Sequence, residues 1–99
     1  MSESHSRASK LLPRINSAIS RVEMQIREVE RQVDQYTESE RILFEKIVYA
    51  HERHESSRAS IFANELANMK RQKGILISAK LALENILLRL QTVSEFRTI

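Results

Sequence analysis

The sequence predicts an all-α protein: a long antiparallel two-helix coiled-coil hairpin. Three observations carry this. Apolar residues recur at alternating steps of three and four along two separate stretches. The 99 residues contain one glycine, Gly74, and one proline, Pro13, so turns are almost absent. The polar interruptions of the two apolar runs carry opposite charge and fall opposite each other when the chain is folded back between them. A spacing that averages 3.5 residues is the seam of a coiled coil, and a stripe that narrow needs one partner helix of similar length.

Residues 1–11 are polar and serine-rich, and read as a flexible basic N-terminal arm. The first helix is placed at about 12–53, with Pro13 in its first turn, where a missing N–H costs nothing. Its seam is Leu12, Ile15, Ile19, Val22, Ile26, Val29, Val33 and Tyr36, then Glu40, Leu43, Ile47 and Ala50. Glu40 is the one failure in those 39 residues. At 1.5 Å per residue the run would extend roughly 58 Å. A turn is placed at about 54–57, where His51 to Ser57 lose the period, with Ser56 or Ser57 as N-cap of the second helix.

The second helix is placed at about 58–97, so the hairpin as a whole covers 12–99. Its seam runs Phe62, Leu66, Met69, Lys73, Leu76, Lys80, Leu83, Leu87, Leu90, with two lysines in it. Folding the chain back at 54–56 brings Glu40 near Lys70 and Lys73, and the acidic Glu28, Glu30 and Asp34 near Lys80. Leu43 and Ile47 then meet Phe62, Ala63 and Leu66. The pairing of Glu40 with Lys70 or Lys73 is the register pair of the hairpin; exposed pairs add only ~0–1 kcal/mol each, so their part is to fix alignment. Gly74 inside this helix costs ~1 kcal/mol against alanine, and is either a tolerated weak point or a bend or close contact.

Composition excludes much chemistry. There is no cysteine, hence no disulfide, thiolate site or cysteine nucleophile. No apolar run approaches the ~20 residues of a membrane span, and no signal peptide opens the chain, so a soluble intracellular protein is expected. His51-Glu52-Arg53-His54 resembles a zinc protease motif, but its histidines are three apart instead of four, and no third ligand is near. No glycine-rich phosphate loop occurs. The chain is expected not to be an enzyme and to need no metal or cofactor.

Charge is blocked. Residues 1–21 carry four basic groups against one acidic, residues 22–55 five against nine, and residues 56–99 seven against three. The first block holds Arg7, Lys10, Arg14 and Arg21, candidate contacts for an anionic membrane surface. Apolar residues also exceed what one seam can bury. Phe44, Val48, Ile61 and Phe62 crowd the tip, and Ile75, Ile86 and Leu88 lie along the second run. Leftover apolar stripes mark contact with another chain, so these seven are the candidate polymer or partner contacts.

The runs Arg41-Ile-Leu-Phe-Glu-Lys-Ile-Val, Ser60-Ile-Phe-Ala-Asn-Glu-Leu-Ala and Ala82-Leu-Glu-Asn-Ile-Leu-Leu-Arg-Leu-Gln-Thr-Val resemble the core hairpin of the ESCRT-III (Snf7) family. The likeness covers about residues 12–97 and is closest to the family's archaeal CdvB branch. It implies a membrane-remodelling subunit that polymerises with itself and with related ESCRT-III-like subunits. Such filaments form on anionic membrane in cell division or vesicle scission. It implies a cytoplasmic protein, peripheral on the inner face of the membrane at the division site. A C-terminal helix of the same or a neighbouring subunit would pack on the tip. An AAA ATPase would be engaged only through a C-terminal tail absent from these 99 residues. Two other classes fit the residues: a nucleic-acid-binding coiled-coil arm using the same basic groups on phosphate, and a structural coiled-coil adaptor. Against nucleic acid, no aromatic is interleaved with the basic residues.

Overall fold

Helix α1, Ser2–Glu52, and helix α2, Ser56–Thr98, run antiparallel and form an all-α hairpin. The computed structural model describes the backbone of residues 2–98 and the side chains of residues 10–96.

The two seams are where the period puts them. In α2 the positions from Ala59 through Phe62, Leu66, Met69, Lys73 and Leu76 to Lys80, Leu83, Leu87, Leu90 and Ser94 are all half-buried, while their neighbours stay exposed. In α1 the seam residues from Leu12 to Ala50 are all buried or half-buried. Among the described residues only Ile26, Leu43 and Ala50 are buried hydrophobics, so a one-sided stripe is the whole core. Each helix covers its partner's stripe and leaves the rest of its circumference in water.

The chain falls into two compact units, one of residues 29–79 and one of residues 1–28 with 80–99. In the first, Lys73 Nζ lies 3.3 Å from Glu40 Oε2 across the seam. Both side chains are largely covered, at 24% and 16% exposure. The second Glu40 oxygen, Oε1, is buried with no hydrogen-bond partner. In the second unit, the Ser94 hydroxyl donates to Asn16 Oδ1 at 3.2 Å.

The turn differs from expectation in its chemistry. Glu55 N–H donates to Ala50 C=O at 2.9 Å and His54 N–H to His51 C=O at 3.1 Å. This is the six-to-one and five-to-two pairing of a Schellman motif, with His54 in the left-handed region at φ 60. Glycine normally takes that position; histidine is among the few side chains that tolerate it. The chain re-enters a helix at once, since the Ala59 N–H bonds the Glu55 carbonyl at 3.0 Å. The N-cap is therefore Glu55, not Ser56 or Ser57, which lie inside the first turn of α2. The Glu55 carboxylate sits near the positive end of that helix, 3.4 Å from Arg53 Nε and 3.5 Å from Arg58. Its Oε2 makes no aligned hydrogen bond, so these are charge contacts only. Ala50, just before the turn, is completely buried. A turn this short leaves room for a methyl group and little more.

The first helix begins at Ser2, not near residue 12, and Pro13 lies within it. Residues 2–10 contain no glycine or proline, so nothing in them stops backward growth of the helix. The local cost is at Pro13, which lacks the N–H that would bond the Ser9 carbonyl. Gly74 lies in uninterrupted α2, and a side chain built there would meet nothing within 4 Å. It makes no close approach inside this chain.

Candidate assembly and membrane surfaces

On α1, Lys10, Arg14 and Arg21 are separated by four and seven residues, which places them on one face of the helix. All three are exposed and point away from the seam. Arg7, the fourth basic residue of the set, lies outside the described side chains. The stripe is followed by Met24, 62% exposed, which shares a shallow hollow with Arg21, Gln25 and Glu28. An apolar side chain one turn from a basic one suits an interfacial contact, where charge meets headgroups and the thioether meets acyl chains. Sequence reasoning passed over Met24, although its place three residues after Arg21 puts it on that face.

The tip unit exposes two sets of apolar residues. Phe44 (60% exposed) and Val48 lie one turn apart on one side of the hairpin. Ile61 is 66% exposed on the other side, and Phe62 is half-buried in the seam. Beside Phe62 a groove of about 450 Å³ is lined by Ile42, Glu45, Lys46, Tyr49 and Arg58. Lys46 stands 5.8 Å from the Phe62 ring centroid, and Arg53 stands 5.1 Å from that of Tyr49 and donates to its hydroxyl at 2.7 Å. The groove is thus an apolar floor with cations at its rim. Ile42 and Tyr49 belong to the apolar surplus that the sequence places at the tip; being seven apart and off the seam, they fall on one outward line.

Ile75 (62% exposed) is in the tip unit, while Ile86 and Leu88 (62%) belong to the other. The structure thus leaves Phe44, Val48, Ile61 and Ile75 uncovered in the tip unit, and Ile86 and Leu88 uncovered in the other. Of the register residues it brings Glu40 and Lys73 together and leaves Lys70 on the exposed side. Lys80 reaches Glu84 on its own helix at 3.8 Å.

One ion cluster decorates the outer face of α1. Arg41 bonds Glu38 at 2.6 Å and Glu45 at 2.5 Å. The hydrogen bond from Arg41, and then its charge, hold the Glu38 carboxyl below its ordinary range; Glu38, in turn, raises Arg41. These groups are fully exposed, and their part is local support of the helix.

Among the described residues no helix is long and apolar enough to cross a membrane. Nor does any group of three or more acidic, histidine or cysteine side chains there come together as a metal site.

The curated relatives that match this hairpin include two cell division proteins. Cell division protein B1 of Sulfolobus acidocaldarius is 34% identical over 82 residues, which is 83% of this chain and 35% of the relative. Cell division protein B of the same organism is 28% identical over 87 residues, 84% of this chain and 33% of the relative. The chain is a CdvB-like protein of the ESCRT-III family. It spans about a third of the length of the two relatives. No family model matches the CdvB-like chain, and no solved structure does.

Proposed function

We propose that this CdvB-like chain is a subunit of a membrane-remodelling polymer that acts in cell division. It lies on an anionic membrane through the basic stripe of α1 and joins other copies, and related ESCRT-III-like subunits, through its uncovered apolar side chains. Its work is structural and not catalytic. It would act as a peripheral protein on the cytoplasmic face at the division site, with any AAA ATPase contact made through a segment outside these residues. The names of the two relatives support the division role. The observation that carries the polymer reading is the pair of features on one thin hairpin: an exposed cationic stripe on α1, and large apolar side chains left in water elsewhere. Covering one such side chain is worth roughly 1.5–3 kcal/mol, so a set of them favours association. Contacts between unlike patches repeat into a filament when their rotation does not close.

The test is co-sedimentation with anionic and with neutral liposomes, beside electron microscopy and light scattering of the purified chain. Binding is expected to anionic vesicles only and to fall with salt. Glutamate at Arg7, Lys10, Arg14 and Arg21 should abolish it while helicity survives. The variants Phe44→Asp, Val48→Asp and Ile86→Asp, Leu88→Asp should bind lipid but assemble poorly. A wild-type chain that remains monomeric at high concentration, with and without anionic vesicles, would refute the polymer and leave an adaptor. Tight binding to DNA without binding to vesicles would move the basic stripe to a nucleic-acid role.

A further inference from the structure

The unit formed by residues 1–28 and 80–99 has two unlike outer faces. Its two helices share a seam, so the sides they turn away from that seam point in opposite directions. On α1 the outward side is the cationic stripe of Lys10, Arg14 and Arg21. On α2 the outward residues Leu81, Ala82, Asn85 and Leu88 are uncharged, and Arg89 follows them on the same face. Leu81 and Leu88 are each 62% exposed. At the edge of this strip Lys80 and Glu84 lie 3.8 Å apart, which leaves no net charge on that flank.

We propose that two copies of the chain pair back to back through this face of α2, and that the pair bridges two anionic lipid surfaces with its outward α1 stripes. A second copy is the occupant because the strip is complementary to itself. With two antiparallel α2 helices related by a two-fold axis at Asn85, position n faces 170 − n. Leu88 of each copy then lies over the small Ala82 of the other. The two Asn85 side chains meet on the axis, where a polar residue fixes alignment. Arg89 faces Leu81 of the other copy, along which its aliphatic stem can lie, and no two like charges oppose each other. The alternative self-contact, α1 on α1, would bring two cationic stripes together. A charged partner would find only Arg89 to pair with on this face of α2.

The strip is short. It would cover roughly half of the ~800 Å² per partner that a standard interface buries. The pair is therefore weak in dilute solution and forms when chains are concentrated on a surface. Its geometry has a consequence that a side-by-side filament lacks. Four helix layers at about 10 Å each separate the two cationic stripes, which face opposite ways. A paired subunit holds two membranes roughly 40 Å apart. The bridging rests on the lipid reading above; the pairing does not.

The chain has no cysteine, so single cysteines report the pairing cleanly. Three variants are compared under mild oxidation: Asn85→Cys on the axis, Thr92→Cys on the same face away from it, and Ser17→Cys on the outer face of α1. Asn85→Cys should form a linked dimer about tenfold faster than either control, because only there do the two sulfurs fall within bonding reach. Equal rates overturn the pairing. The linked dimer is then mixed with phosphatidylglycerol vesicles and with neutral vesicles, and clustering is followed by light scattering. Clustering of the anionic vesicles alone, stronger for the linked dimer than after dithiothreitol, supports the bridge. A Leu81→Asp, Leu88→Asp variant should bind those vesicles as wild type does and cluster them several-fold less. Vesicles that bind the linked dimer without clustering overturn the bridge. Failure to bind vesicles overturns the bridge and the lipid reading together, while the cross-linking rates still decide the pairing. Clustering of DNA in place of vesicles overturns lipid as the bridged surface.

Discussion

Replacing Glu40 by leucine tests whether the polar break in the seam is an alignment device or a source of stability. Lys73 Nζ stands 3.3 Å from Glu40 Oε2, and both side chains are mostly covered. At that separation and an effective dielectric constant of ~20 the attraction is about 5 kcal/mol. Removing two charges from water costs several kcal/mol each, so the intact pair is close to neutral overall. The buried, unbonded Oε1 of Glu40 adds to the cost side. Glu40→Leu alone should lower stability by ~1–3 kcal/mol, because Lys73 is left charged in an apolar stripe. The lower end is favoured, since Lys73 is 24% exposed and its flexible stem can lift the amine toward water. For a domain of this size each kcal/mol moves Tm by roughly 4–8 °C. The double variant Glu40→Leu, Lys73→Leu should melt at or above the wild-type temperature, yet sediment as a mixture, because the continuous apolar seam no longer rejects shifted or intermolecular pairings. The charge reversal Glu40→Lys should be worse than Glu40→Leu, and adding Lys73→Glu should restore part of the loss. Circular dichroism melts at 222 nm and sedimentation velocity read both effects. Additive single effects, with coupling under ~0.5 kcal/mol, would refute the pairing.

His54→Gly should raise stability by roughly 1 kcal/mol, because φ 60 suits glycine better than any side chain; an unchanged or lower melting temperature would show that the imidazole contributes something the turn needs. Glu38 should titrate below 4.5 in the folded chain, since its carboxylate accepts hydrogen bonds from Arg41. Its contribution is therefore complete above the ordinary carboxylate range and is lost as the pH falls through the lowered folded value. Carboxyl NMR should place that midpoint, and Arg41→Ala should return it to the ordinary range.

The architecture was legible because a coiled-coil seam is a local signal. Each helix states its own period, and the break at Glu40 narrows its partner to Lys70 or Lys73, between which only the structure chooses. The features that were not legible depended on backbone conformation. His54 takes the left-handed position without glycine to announce it, and Glu55 caps α2 because the reversal closes there, although two better capping residues come directly after it. The start of α1 is not legible, because Pro13 suits a first turn as well as it marks a weak point inside the helix, and the residues before it contain nothing that stops a helix. On the surface, Arg14 and Arg21 were visible as charge. Met24 was not, because a single apolar side chain on an outward face carries no signal until its neighbours are known.

A hairpin whose only buried hydrophobics among the described residues are Ile26, Leu43 and Ala50 has no interior that one substitution could unsettle as a whole. Its cohesion is distributed in successive rungs, each contributed by a few residues from either helix. Such a chain can change its reach in steps. Removing seven residues from α1 and the seven that face them in α2, within either unit, returns every remaining rung to its partner. Removing four from one helix alone leaves every rung beyond the cut misaligned. Related proteins could therefore differ in arm length by whole matched sevens while keeping the same turn at one end and the same outward faces at the other.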